Sequence, residues 1–231
     1  MSYQMIHMET AYRILKRMPT IKHMPTIEHE AEFILGSVAP DSVHMNEDYN
    51  IDMKVRSHMF EGCGEWSNTQ DYKRWRDNIR AVLKKYAAGW EESGFKDFVL
   101  GLCVHCLTDY NNDVKMWRAF QKEYIPPMSL PKFKEAYYVE AKGIDLWLYQ
   151  NSRHSKTIME LLKNAASFDV EGLVKREDIE KQRNHLLYTQ YNVDTIDISG
   201  YRFLSAGRIE DFIESTVEDI FDFFSQNDIP R

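Results

Sequence analysis

Apolar residues recur along this chain at a spacing that is helical almost throughout. In residues 5–18, Ile6, Ala11, Ile14 and Leu15 fall on one face, and Lys16 and Arg17 close the segment. Thr26-Ile-Glu-His-Glu reads as a helix start leading into residues 31–35, and Gly36 ends that helix. Residues 70–90 form the clearest amphipathic pattern, with Trp75, Ile79, Val82, Leu83 and Tyr86 on one side and charge on the other. A stretch apolar enough for a buried helix follows Gly94 and includes residues 101–117, GLCVHCLTDYNNDVKMW. Beyond a proline-rich loop around residues 124–131, helices are expected at 133–153, within 158–173 and at 178–191. A final amphipathic helix at 205–224 carries Ile209, Phe212, Ile213, Val217, Ile220 and Phe221. Residues 46–68 read as polar and irregular, and residues 192–199 as an extended connector. The expectation is an all-α, multi-helix fold with no sheet worth naming, in one domain over residues 1–231.

Two repeats of MPTI-x-H at residues 18–29 are too short for a solenoid unit and read as a loop duplication, which places His23 and His29 at the surface. The 231 residues carry a net charge of -7, which argues against the basic footprint that nucleic-acid binding needs. Cys63, Cys103 and Cys106 are too few, and odd in number, for a secreted disulfide scaffold; the C-x-x-C pair reads as small core residues. The first residues lack a basic region followed by an apolar one, and the longest apolar run, 98–107, is too short to span a bilayer. A cytoplasmic protein is expected.

The chemistry concentrates where polar residues interrupt apolar helices. His105 and Asp109 are four apart, so an imidazole and a carboxylate leave one face of an apolar helix together. A buried carboxylate is costly unless paired, and a divalent metal would satisfy both groups; the plainer reading is a His–Asp hydrogen bond that pins the helix. His7 lies one turn before Ala11, towards a buried face. Gly36-Ser-Val-Ala-Pro-Asp places Asp41 in a rigid loop, as a presented carboxylate or simply a helix N-cap, with His44 close enough to share or orient it. His58 stands in an irregular stretch where a lone histidine is ordinarily solvent-facing, and His185 reads as structural or exposed.

Taken together, His7 in the first helix, Asp41 in LGSVAPDSVH, His58 in RSHMF, and His105 and Asp109 in GLCVHCLTD resemble the zinc-dependent phospholipase C family, in particular its short bacterial members. More distantly they are similar to the single-strand-specific zinc nucleases. The matching motifs lie within residues 1–117. The resemblance implies an all-α fold around one to three zinc ions. Asp41, His58, His105 and Asp109 match the ligands of one zinc; Asp109 would bridge to a second, held by His7; and Asp41 would double as general base. The family's N-terminal Trp ligand has no counterpart in Met-Ser-Tyr, and its later histidines are absent, with Asn111, Asn112 and Asp113 in one stretch and Ala141 and Asp145 in the other. His44, Asp113, Glu140 and Asp145 are candidate replacements, and an oxygen-rich second site suits a divalent metal harder than zinc.

The function implied is metal-dependent hydrolysis of a phosphodiester by activated water. The substrate would be a lipid headgroup ester or a small soluble diester. No length remains for the family's membrane-docking C-terminal module, which weakens the case for bilayer phospholipids. The alternatives are a zinc-dependent nuclease, a member retaining one structural metal as a binding or scaffold protein, and a helical interaction domain without metal.

Overall fold

The computed structural model describes residues 3–21, 24–86, 93–125 and 127–226. It contains helices α1 (Gln4–Arg17), α2 (Glu30–Gly36), α3 (Ile51–Ser57), α4 (Tyr72–Tyr86), α5 (Phe95–Asn112), α6 (Arg118–Tyr124), α7 (Leu130–Asn151), α8 (Ser155–Asn164), α9 (Arg176–His185) and α10 (Ala206–Ser225). The strands among the described residues are β1 (Gly64–Glu65) and β2 (Asn68–Thr69), an antiparallel pair. The fold is all-α. His23 and the end of the helix expected at 70–90 lie outside the described residues.

Helix α5 is the axis of the molecule. Every residue from 97 to 109 is buried, as a helix covered on all sides requires. It packs against α1, α2, α4 and α10, and every helix adds apolar side chains to one continuous core, α3 only through the half-buried Met53 and Val55. The amphipathic helices lie outside it. Trp75, Ile79 and Leu83 turn inward from α4, and α10 is pinned to α1 by Arg13 with Glu210 and Glu214, and by Arg17 with Glu214 and Glu218.

The tightest helix crossing is α2 on α5, and two glycines make it. A Cβ on Gly36 would stand 2.0 Å from the Phe98 carbonyl oxygen, and one on Gly101 2.1 Å from that of Phe33. Each helix therefore rests on the other's bare backbone. The first turn of α5 reciprocates by capping α2, because Asp97 Oδ2 accepts the Glu28 and His29 amides at 3.0 and 2.7 Å. His29 itself is half-buried, its ring 2.8 Å from Ser93 Oγ, instead of lying free at the surface.

Three segments depart from the periodicity reading. Residues 46–68 contain α3, capped by the Asn50 side chain, which accepts from the Met53 amide; its buried positions are only Lys54 and Ser57, so it shows no apolar stripe. Residues 39–45, expected as a loop, form a 3₁₀ helix with Pro40 in its first turn, so Asp41 lies inside an element and caps nothing. The helix after α5 continues through a π turn, Asp113–Trp117, straight into α6.

Replacing Gly36 by Ala should force α2 and α5 apart and cost about 2–3 kcal/mol. Gly207→Ala, in α10 with nothing within 4 Å of the new methyl, should stabilise by up to about 1 kcal/mol. Urea denaturation of both variants checks the pair.

Candidate metal centre

The α2–α5 crossing sets the first half of the site. With the backbones in contact, the Ser37 carbonyl at the end of α2 lies 2.8 Å from His105 Nδ1 and accepts its proton. His58, the residue after α3, is held the same way: its Nδ1 is 3.0 Å from the Lys54 carbonyl and 2.9 Å from Ser57 Oγ. The chain leaves α3 through Met59 in the left-handed region (φ 55°), and the His58 carbonyl accepts Trp75 Nε1–H at 2.9 Å. Both rings thus carry hydrogen on Nδ1 and turn Nε2 inward, where the two Nε2 atoms face each other at 3.3 Å. Burial and the nearby His7 push His105 down to about 3, so its ring is neutral at neutral pH. Two neutral rings would oppose their lone pairs there, and only a proton or a cation shared between them relieves the arrangement.

Two carboxylates close around this point. Asp41 Oδ1 lies 3.3 Å from His58 Nε2, while its Oδ2 accepts Gln4 Nε2–H at 2.7 Å. Asp109 divides its oxygens: Oδ2 is 3.6 Å from His58 Nε2 and 3.9 Å from His105 Nε2, and Oδ1 is 3.5 Å from His7 Nε2. A tetrahedral zinc with bonds of about 2.05 Å would separate its ligand atoms by about 3.3 Å. Of the edges here, 3.3, 3.3, 3.6 and 3.9 Å, two match that value and two lie above it. His7 stacks on His105 with centroids 3.7 Å apart, and both of its ring nitrogens are buried without a hydrogen-bond partner. His7, Asp41 and His105 form one set of donor atoms within 4.8 Å of one another, and His58, His105 and Asp109 a second. The donors present therefore fit divalent cations at one position, with a partial second set on the His7 side.

The charges agree with that use. Burial works to raise both carboxyl groups, but a proton on His58 Nε2, donated to Asp41, and the nearby Lys54 charge hold Asp41 well below its usual range, and His7 does the same for Asp109 when it donates. The three cysteines are buried and unpaired, and burial pushes Cys103 and Cys106 upward, so neither is poised as a thiolate.

The replacement candidates separate. His44 is one 3₁₀ turn from Asp41, with Nε2 3.8 Å from Asp41 Oδ1. Asp113 follows Asp109 by one turn and accepts Tyr72 OH at 2.6 Å; both carboxylates line a pocket of about 20 Å³ walled by Trp66, Trp117 and Tyr138, room for about one water. Glu140 is directed elsewhere, because its carboxylate accepts the amides of Arg202, Phe203 and Leu204. Asp145 is occupied too: it accepts the Met5 amide at 2.6 Å, capping α1 from outside, and contacts Gln190 and Tyr191. It therefore positions His7 through the backbone. Gln4 and Lys54, which the periodicity reading passed over, stand one turn before His7 and His58, the spacing that puts a helper on its ligand's face.

In chelator-treated protein the titrations oppose one another. Between pH 6.5 and about 3 the unfolded chain protonates His105 while the folded site refuses the proton, so stability is lost as pH falls. Burial raises Asp145 to about 6, and its folded-state protonation restores stability between pH 6 and 3.8. Asp145→Asn removes the restoring part, so its urea midpoint should fall more steeply than wild type from pH 7 to 4.5. Parallel curves would contradict the assignment.

A family model described as zinc dependent phospholipase C matches residues 6–222, a span that contains all five of His7, Asp41, His58, His105 and Asp109. No curated protein and no solved structure matches. With most of its length matched and its histidines and carboxylates gathered at one buried point, the chain belongs to the zinc dependent phospholipase C family.

Proposed function

We propose that the chain hydrolyses a phosphodiester at the His58–His105–Asp41–Asp109 centre, with zinc as the resident ion and residues 1–231 acting as one domain. The observation that carries this is the convergence of two Nε2 lone pairs and two carboxylates at 3.3–3.9 Å. His58, His105, Asp41 and Asp109 would hold the first ion, and His7 with the second Asp109 oxygen a further one. When bound, zinc supplies an acidified water as nucleophile and a counter-charge for phosphoryl oxygens.

The chain's own residues supply order. Ser37 and the Lys54 carbonyl fix the two histidine tautomers, and Gln4 fixes the Asp41 carboxylate. Asp41 is the more exposed of the two carboxylates, at 15% against 3% for Asp109. It therefore sits where water and substrate arrive, ionised across the working pH range. Its Oδ atoms can orient the attacking water and pass the proton on, because a carboxylate held low does not retain it. The water oxygen bonds to phosphorus, the ester P–O bond breaks, and the proton ends on the leaving alkoxide.

The substrate class is a lipid headgroup ester or a small soluble diester. No helix among the described residues is long and apolar enough to cross a membrane. The three buried thiols support a reducing, cytoplasmic setting.

Hydrolysis of bis(p-nitrophenyl) phosphate tests the reading. Activity should vanish with chelator and return with zinc. Gln4→Leu should keep the metal and lose about 10- to 100-fold in kcat/KM, as expected when a ligand's hydrogen-bond partner is removed. A zinc-loaded protein inert to this ester and to short-chain phosphatidylcholine would refute it.

A further inference from the structure

Lys54 is the only lysine or arginine among the described residues that is buried, at 5% exposure. A buried ammonium is expensive unless it answers a charge, so its location carries information. It lies on α3 one turn before His58, and its carbonyl fixes that ring. Its Nζ is 3.4 Å from His44 Nε2 and 4.7 Å above the centroid of Trp66, whose ring meets His58 edge-on at 4.9 Å and walls the small pocket against Asp109 and Asp113. It is also close enough to Asp41 for its charge to favour the ionised carboxylate.

The charge count gives this position a purpose. Asp41 and Asp109 contribute two negative charges, and one divalent cation cancels them. With that first ion alone, the centre offers no net attraction to a phosphodiester monoanion. One fixed ammonium beside it restores a single positive charge, equal and opposite to the substrate's. It also stands beside Asp41, the exposed end of the cluster.

Resting on the proposed hydrolase reading, we infer that Lys54 is a specificity-determining residue that binds a non-bridging phosphoryl oxygen of the substrate beside the metal centre. The rival role is that of a mere counterion to Asp41, whose loss leaves phosphate affinity where it was. A cation beside a divalent ion repels it, so removing an anion-binding lysine leaves zinc affinity unchanged or raised.

The test is calorimetric titration of inorganic phosphate into zinc-loaded wild type and K54M, together with zinc affinity by chelator competition on the same samples. K54M should bind phosphate about 10- to 100-fold more weakly, the loss of one charge-assisted hydrogen bond, with zinc affinity equal to or above wild type. K54Q, polar but uncharged, should give the same result if K54M does not fold. Unchanged phosphate affinity in the variant, or a loss of zinc affinity in proportion, overturns the assignment to Lys54 while leaving the hydrolase reading standing. Wild type that takes up no zinc overturns both.

Discussion

A carboxylate buried on the most enclosed helix is the constraint on which the rest of this structure turns. Asp109 lies in α5 within an unbroken buried run, and an ionised group there is tolerable only with compensation close by. The fold delivers it from three directions: His7 on α1, His58 at the end of α3, and His105 one turn back on α5 itself. Those approaches depend on features outside the centre. The glycine pair at the α2–α5 crossing brings Ser37 to His105, and Asp145 holds the start of α1 so that His7 reaches Asp109.

Much of this was legible from spacing. Helices α1, α4 and α10 present one apolar stripe each, and α5 is apolar on every side, so periodicity finds all four. His105 and Asp109 announce themselves because an imidazole and a carboxylate four apart in an apolar helix need a partner, each other or a cation. Helix α3 was hidden because its inward residues are Lys54 and Ser57, and its apolar Ile51 points out. His58, at the end of that hidden helix, read as a solvent-facing loop residue taken alone; only the joint resemblance marked it. Helix α6 was hidden by the π turn, which shifts the periodicity between Asp113 and Trp117.

The later acidic residues show where pattern fails. Glu140 and Asp145 sit on α7 among apolar neighbours, as a ligand would, yet they serve backbone amides: Glu140 those of residues 202–204, Asp145 that of Met5. Sequence cannot distinguish a buried acid that caps a chain from one that binds a metal, since both need the same isolation. Position relative to a candidate ligand is more informative. Gln4 and Lys54, each one turn before a histidine, touch or face Asp41 and so adjust the centre from helix faces already committed to it.

The most direct test of the account is anomalous diffraction at the zinc absorption edge from crystals of protein purified without chelator. A peak bonded at about 2.0–2.2 Å to Nε2 of His58 and His105 and to oxygens of Asp41 and Asp109 is the predicted result. Well-ordered crystals with these four side chains in direct contact, and no anomalous scatterer among them even after zinc soaking, would contradict it.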